Sequence, residues 1–410
     1  MEKSRNYDAF VKAFNNFDSR PLSGENLKRF YIDDFTKQSV EDINTTIRIT
    51  ERFKKMLIIG HRGCGKSTIL NKVAEDLKDE YQVVLFSAAE VINMVDVETV
   101  DILLATYLQV LESVSGDREF KPLFDKFDEL VKLFKKEINL ETTDLKVLGL
   151  LSFKFKVEPE SRATIRKKLF DRVQELQKNL SEACSQIQQN RNKEVLIIID
   201  DLDKLDTKIA ENIFFENFQM VTVPEAKILF TFPLDTYYCD AYIRITDIYE
   251  SKFIPLVNLY TSDGEYLEFS HKSLEKLILR RIDEELVDKD AMKYVIDKSG
   301  GLLRDMVKFM QDACKLAIVD KSDVISAEIA ESAVNEYIND YYRVFDFSIY
   351  AEKVRAIVDT KQKVDNETLV YLLKHLFVLE YRHGKELWYD AHPCMKKALE
   401  IEKGKSVIIS

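Results

Sequence analysis

Eight consecutive residues, Gly60-His61-Arg62-Gly63-Cys64-Gly65-Lys66-Ser67, with Thr68 next, spell G-x-x-x-x-G-K-[ST], the pattern of a loop that cradles phosphates. Glycines at 60, 63 and 65 let successive backbone N–H groups turn inward on phosphate oxygens at the positive end of a following helix. Lys66 is placed to reach the β- and γ-phosphates and to act in catalysis, and Ser67 offers a hydroxyl to Mg²⁺, a hard cation that prefers oxygen. The loop needs a strand to deliver it and a helix to receive it. The apolar run Met56-Leu57-Ile58-Ile59 precedes it, and a helical pattern over about 65 to 79 follows.

A second chemical constellation closes another apolar run: Val195-Leu196-Ile197-Ile198-Ile199 ends in Asp200-Asp201-Leu202-Asp203. Uninterrupted apolar residues of this length read as a strand buried on both faces. Acids at its carboxyl tip face the crevice where open α/β sheets bind ligands. Asp200 is the candidate Mg²⁺ ligand, and Asp201 the candidate for orienting or deprotonating an attacking water. Thr231, at the tip of a further strand, is a candidate contact to the γ-phosphate or that water.

Three more strands complete the pattern: Gln82-Val83-Val84-Leu85-Phe86-Ser87, Lys227-Ile228-Leu229-Phe230-Thr231-Phe232 and Lys252-Phe253-Ile254-Pro255-Leu256-Val257. Five strands separated by helical stretches predict an α/β fold with a doubly wound, five-stranded parallel P-loop NTPase sheet. Pro255 has no N–H for a ladder, so the last strand is either an edge strand or the weakest of the five readings. We expect residues 1–50 to cap the nucleotide site and 51–263 to form the core. Within that core, about 143–158 reads as an inserted hairpin and about 160–190 as one long helix. Residues 264–345 read as a helical lid, and 346–410 as helices followed by a hairpin, the order of a winged-helix domain.

Composition narrows the classes. The 410 residues are 46% hydrophobic and 32% charged, with no apolar run near the roughly 20 residues of a membrane helix. The N-terminus lacks an apolar signal core, and the five cysteines are scattered without a C-x-x-C pair. These features predict a cytoplasmic protein with reduced thiols, no structural zinc and no membrane partner. A net charge of −11 disfavours coating nucleic acid by bulk electrostatics. Residues 349–410 hold 11 Lys and Arg against 9 Asp and Glu, a small excess for a dedicated DNA reader. The guanine signature N-K-x-D is absent, which favours ATP.

The order of these motifs resembles the AAA+ and STAND clades of P-loop ATPases, and the Asp200-Asp201-Leu202-Asp203 wording is closest to STAND and KAP-type members. AAA+ enzymes usually carry Glu where Asp201 stands. The resemblance implies a lid and a C-terminal winged helix, as in origin-initiator-type and STAND ATPases. Ser299-Gly300-Gly301-Leu302-Leu303-Arg304-Asp305 resembles two family motifs. In the origin-initiator AAA+ reading, which we favour, Gly300 opens a lid helix and Arg304 is a sensor 2 arginine touching the γ-phosphate. In the STAND reading Gly300-Gly301-Leu302 matches a motif that continues Pro-Leu, where this chain has Leu303-Arg304. The resemblance also implies nucleotide sensing by His392, in Asp390-Ala391-His392-Pro393, and makes Arg244 a candidate arginine finger.

Together these readings predict a Mg²⁺-dependent ATPase acting as a switch between ATP and ADP states, with lid and winged helix responding and with assembly into a homo-oligomer or onto an effector protein. Kinship alone suggests bacterial defence or mobile elements. Two other readings stand beside it: an initiator- or loader-type ATPase binding DNA through its winged helix, and a scaffold that holds ATP and hydrolyses it slowly.

Overall fold

The computed structural model describes residues 5–50, 53–132 and 159–409; the hairpin expected at about 143–158 lies outside the described residues. By its internal contacts the chain divides into two units: Met1–Ser39 with Gly60–Ile69 and Ile254–Ser410, and Val40–Ile59 with Leu70–Phe253.

The second unit holds a five-stranded parallel sheet in the order β2-β3-β4-β1-β5. The strands are β1 (Lys55–Ile59), β2 (Gln82–Ser87), β3 (Val195–Asp200), β4 (Lys227–Thr231) and β5 (Glu250–Phe253). Every residue of β1 and β4 is buried, as are the first five of β3. These are the three inner strands, and a parallel sheet covered on both faces demands apolar residues on both. The edge strand β2 is only partly covered, which allows its mixed sequence. At the other edge, β5 starts and ends earlier than its apolar letters suggest. It stops at Phe253, two residues before Pro255, where a missing N–H would break the ladder to β1.

Register aligns the chemistry. Ser87 pairs with Asp200 at the tips of β2 and β3, and Ile58 pairs with Thr231 at the tips of β1 and β4, so these carboxyl ends share one sheet edge. The opposite edge is fastened by two buried lysines. Lys55 Nζ donates to the carbonyls of Phe53, Pro224 and Ala226. Lys227 Nζ reaches the Ile47 carbonyl and pairs with Glu194 at 2.8 Å. Phe214 packs edge-on against Phe230, Phe232 and Tyr249, with ring centroids 5.7, 5.0 and 6.1 Å away. Such pairs contribute about 0.5–1.5 kcal/mol each beyond their buried area. The stretch expected as one long helix is two, Pro159–Phe170 and Val173–Arg191. The break at Asp171-Arg172 carries no glycine or proline to mark it.

The first unit is helical around one apolar core, with Phe10, Leu274, Ile278, Val295, Met306, Phe309, Met310 and Val334 among its buried members. Its helices Glu268–Leu279, Lys289–Ser299, Leu303–Val319 and Ala327–Val344 fill the region expected to be a lid. Helix Tyr7–Asn16 packs on Leu303–Val319, so the N-terminal segment is built into this unit. Further along, helices Phe347–Thr360 and Asn366–Lys374 lead to the antiparallel hairpin β6 (Val378–His383) and β7 (Glu386–Ala391), followed by helix Pro393–Ile409. Asp346 and Asp365 cap those first two helices, accepting N–H bonds from Ser348 and Thr368. Each such cap is worth about 1 kcal/mol. Across the hairpin, Tyr381 stacks on its register partner Trp388 at 5.6 Å.

Candidate functional site

The phosphate loop leaves β1 at Ile59 and enters helix Lys66–Leu77 at Lys66. Gly63 adopts φ +90°, and a Cβ there would stand 3.0 Å from Arg304 Cβ, so both backbone conformation and space require glycine. Lys66 is 4% exposed, and its Nζ donates to the carbonyls of Gly60 and His61, both at 2.9 Å. Thr68 Oγ1 accepts the Leu22 N–H at 3.1 Å, which ties the N-terminal segment to the helix after the loop. Cys64 is buried. His61 is buried as well, and its Nε2 accepts the Glu380 N–H from β6 at 2.8 Å.

Arg304 comes to the loop from the lid region. Gly301 makes this possible: it adopts φ +82°, and a Cβ on it would lie 2.0 Å from the Val257 carbonyl oxygen, a separation no side chain tolerates. The chain turns there and starts helix Leu303–Val319. Arg304 N–H then donates to the Gly63 carbonyl at 3.1 Å, and its Nη2 to the Arg62 carbonyl at 3.4 Å. Its guanidinium therefore sits on the outside of the phosphate loop.

His392 is fully buried in the same unit. Its Nδ1 accepts the Cys394 N–H at 3.1 Å, its ring stacks on Tyr341, and its Nε2 stands 3.3 Å from Asp305 Oδ2. Asp305 is the neighbour of Arg304 in sequence, so His392 meets the phosphate loop through that pair and not directly. On the hairpin, Arg382 pairs with the buried Glu380, Nε to Oε1 at 2.5 Å. The Arg382 side chain is thereby turned toward an internal carboxylate.

The acids lie in the other unit. Asp200, Asp201 and Asp203 bring carboxylate oxygens within 4.8 Å of one another, a hard-oxygen set of the kind Mg²⁺ accepts. Asp200 Oδ1 accepts the N–H of Asp201 at 2.7 Å. Asp201 itself has φ +68°, an uncommon conformation for a non-glycine residue, and both of its oxygens are engaged. Oδ2 accepts the Ser87 hydroxyl at 2.5 Å, and Oδ1 pairs with Lys204 at 2.5 Å. Thr231 is fully buried, and its Oγ1 accepts the Leu202 N–H at 2.9 Å, pinning the turn after β3. Arg244 is exposed on the turn Asp240–Ile245, beside the exposed Ile243.

Sequence reasoning passed over Ser87, Lys204 and Glu380. Ser87 had a readable signal, a hydroxyl at the tip of an otherwise apolar strand. Glu380 had none, because a backbone N–H has no letter of its own.

Residues 39–233 match the KAP family P-loop domain. None of the curated proteins matches the chain. Among solved structures, Cdc6p from Pyrobaculum aerophilum is similar at 12% identity and a TM-score of 0.45, over 95% of this chain and 98% of that one. The ORC2 protein of Aeropyrum pernix, in ADPNP–ADP complexes, is similar at 11% identity and 0.44, over 97% and 98%. The Thermotoga maritima RuvB Holliday junction branch migration motor is similar at 14% and 0.39, over 94% and 98%. With the phosphate loop after β1 and paired acids at the tip of β3, the segment 39–233 is a P-loop NTPase domain.

Proposed function

We propose that the protein binds and hydrolyses ATP, and that its nucleotide state sets the orientation of the helical lid and of the C-terminal helix–hairpin segment, read as a winged helix, to control assembly with itself or with a partner protein. The observation that carries this reading is the seating of Arg304 on the loop, through Gly63 and Arg62 carbonyls. A residue bonded to the backbone that wraps the phosphates must respond when that backbone moves, and a ligand shifts a conformational equilibrium by its differential affinity for the two states. In this reading Lys66 and the loop amides bind the phosphates, and Ser67 and Asp200 hold Mg²⁺, whose charge neutralises the triphosphate. Asp201 orients the attacking water, Thr231 holds the turn that carries Asp201, and Arg304 changes partners from loop carbonyls to phosphate. His392 acts through Asp305. Arg244, being exposed, is free to serve a neighbouring copy.

The test measures particle mass and ATPase rate with ADP, with ATP and with ATP plus DNA, for the wild type and Asp201→Asn. A change of assembly state with ATP, and turnover lost in the variant, are expected. A mass indifferent to nucleotide overturns the switch.

One observation favours a slower enzyme. Asp201 is shorter than Glu by one methylene, and its oxygens are already bonded to Ser87 and Lys204. An ATP-holding scaffold with slow turnover is thus the second reading, and recovery of unchanged ATP after long incubation would favour it. Pairing of Arg382 with Glu380 gives the DNA-binding reading no support of this kind.

A further inference from the structure

His61, the second residue of the phosphate loop, is 1% exposed. Its Nε2 is an acceptor toward Glu380 N–H, so a neutral ring carries its proton on Nδ1. That nitrogen meets no hydrogen-bond partner among the described residues. A buried imidazole with one nitrogen unsatisfied is destabilising, and the single bond its ring makes is to another segment of the chain.

That bond falls on the outer edge of β6. Two residues on, the same edge is held again, where Asn258 Nδ2 donates to the Arg382 carbonyl at 2.8 Å. A strand edge is a row of backbone groups that must find partners. Here the partners are side chains, which can withdraw without unfolding either β6 or the loop.

We propose that His61 is a latch: it ties the hairpin β6–β7 to the phosphate loop, and filling the loop with a nucleoside triphosphate releases it. The release step rests on the nucleotide-binding reading above. Lys66 Nζ is bonded to the Gly60 and His61 carbonyls, and it is the group that phosphates draw toward themselves. When Nζ turns to a phosphate, the His61 peptide loses a tether, and the imidazole on that residue shifts off the Glu380 N–H. His61 is therefore a positioning residue for the hairpin.

The latch also responds to acid. The ring faces Lys66 from its own loop, Glu380 and Arg382 from β6, and His392 beyond β7. Burial first, then the charges of Lys66, Arg382 and His392, push its pKa down to about 3, so the closed latch is neutral. Once open, the ring regains an ordinary value of about 6.5. Protonation then favours the open form, by about tenfold for each pH unit below 6.5.

Hydrogen exchange of the Glu380 amide in the full-length protein, corrected for intrinsic rates, tests this. Between pH 7.5 and 5.5 wild-type exchange should rise about tenfold. His61→Phe should exchange at least tenfold faster than wild type at pH 7.5 and lose the pH response. His61→Gln, whose amide oxygen can accept the same N–H, should retain protection and also lose the pH response, which keeps the test valid if the Phe variant fails to fold. A non-hydrolysable ATP analogue should accelerate exchange at Glu380 more than ADP does. Equal exchange at both pH values in wild type overturns the latch, and so does a bound analogue that leaves exchange unchanged. If the analogue does not bind at all, the nucleotide-binding reading and the release step both fall, and the pH and variant arms still decide whether His61 holds the hairpin.

Discussion

Ser87 donates its hydroxyl to Asp201 Oδ2 at 2.5 Å, from the tip of β2 to the residue just past the tip of β3. Lys204 takes the other oxygen. A carboxylate whose two oxygens are both bonded to protein donors has fewer lone pairs left to orient an attacking water. Ser87→Ala and Lys204→Met should each raise the steady-state ATPase rate, by about two- to tenfold, if Asp201 handles the water. Asp201→Asn should lower it by a factor on the order of 10²–10⁴. Turnover by all three variants under saturating MgATP checks this, and an unchanged rate in Asp201→Asn removes the residue from the chemistry.

Lys66 makes its contacts to loop carbonyls. Lys66→Ala should weaken binding of a fluorescent ATP analogue at least a hundredfold, as expected when a charge-assisted phosphate contact is lost. Its circular dichroism should match the wild type. Equal affinities would deny the loop its phosphate role.

Gly301 has no room for a side chain. Gly301→Ala pushes a methyl into the Val257 carbonyl and demands an unfavourable φ, for a destabilisation of about 2–4 kcal/mol. Gly384, also at positive φ but with nothing within 4 Å of an added Cβ, should lose only about 1 kcal/mol on the same change. Denaturant midpoints of the two variants give the ordering, and reversal of it would refute the close approach.

Lys55 is the site of a pH effect. Burial pushes its ammonium down to about 8 from an ordinary 10.5. Between those values the unfolded chain binds a proton that the folded chain does not. Stability therefore rises with pH from about 8 to 10.5, and the burial penalty is fully present below 8. Lys55→Met should remove this rise, at the expense of leaving carbonyls of Phe53, Pro224 and Ala226 without their donor. Urea unfolding at pH 7.5, 9 and 10 measures the slope; a flat wild-type profile would contradict it.

Much of this architecture can be read from the letters alone. The strands β1, β3 and β4 announce themselves because inner parallel strands need apolar residues on both faces. The loop 60–68 does so because phosphate cradling tolerates few spellings. The hairpin is visible in its turn, Gly384-Lys385. What escapes is contact at long range. His61 and Glu380 are 319 positions apart, and nothing local to either tells that they meet. The Asp171-Arg172 break escapes because helices end there without a chemical stop signal. Asp201 is legible as an acid just past a strand tip, while its pairing with Ser87 of another strand and with Lys204 is not legible from spacing.

The two lysines fastened beneath the sheet have a mechanical meaning. Lys55 and Lys227 rivet the amino ends of β1 and β4 to carbonyls of neighbouring segments, so that margin behaves as an abutment. A displacement at the far margin would then not be absorbed by strands sliding past one another. It would pass instead to the loops that leave the carboxyl tips.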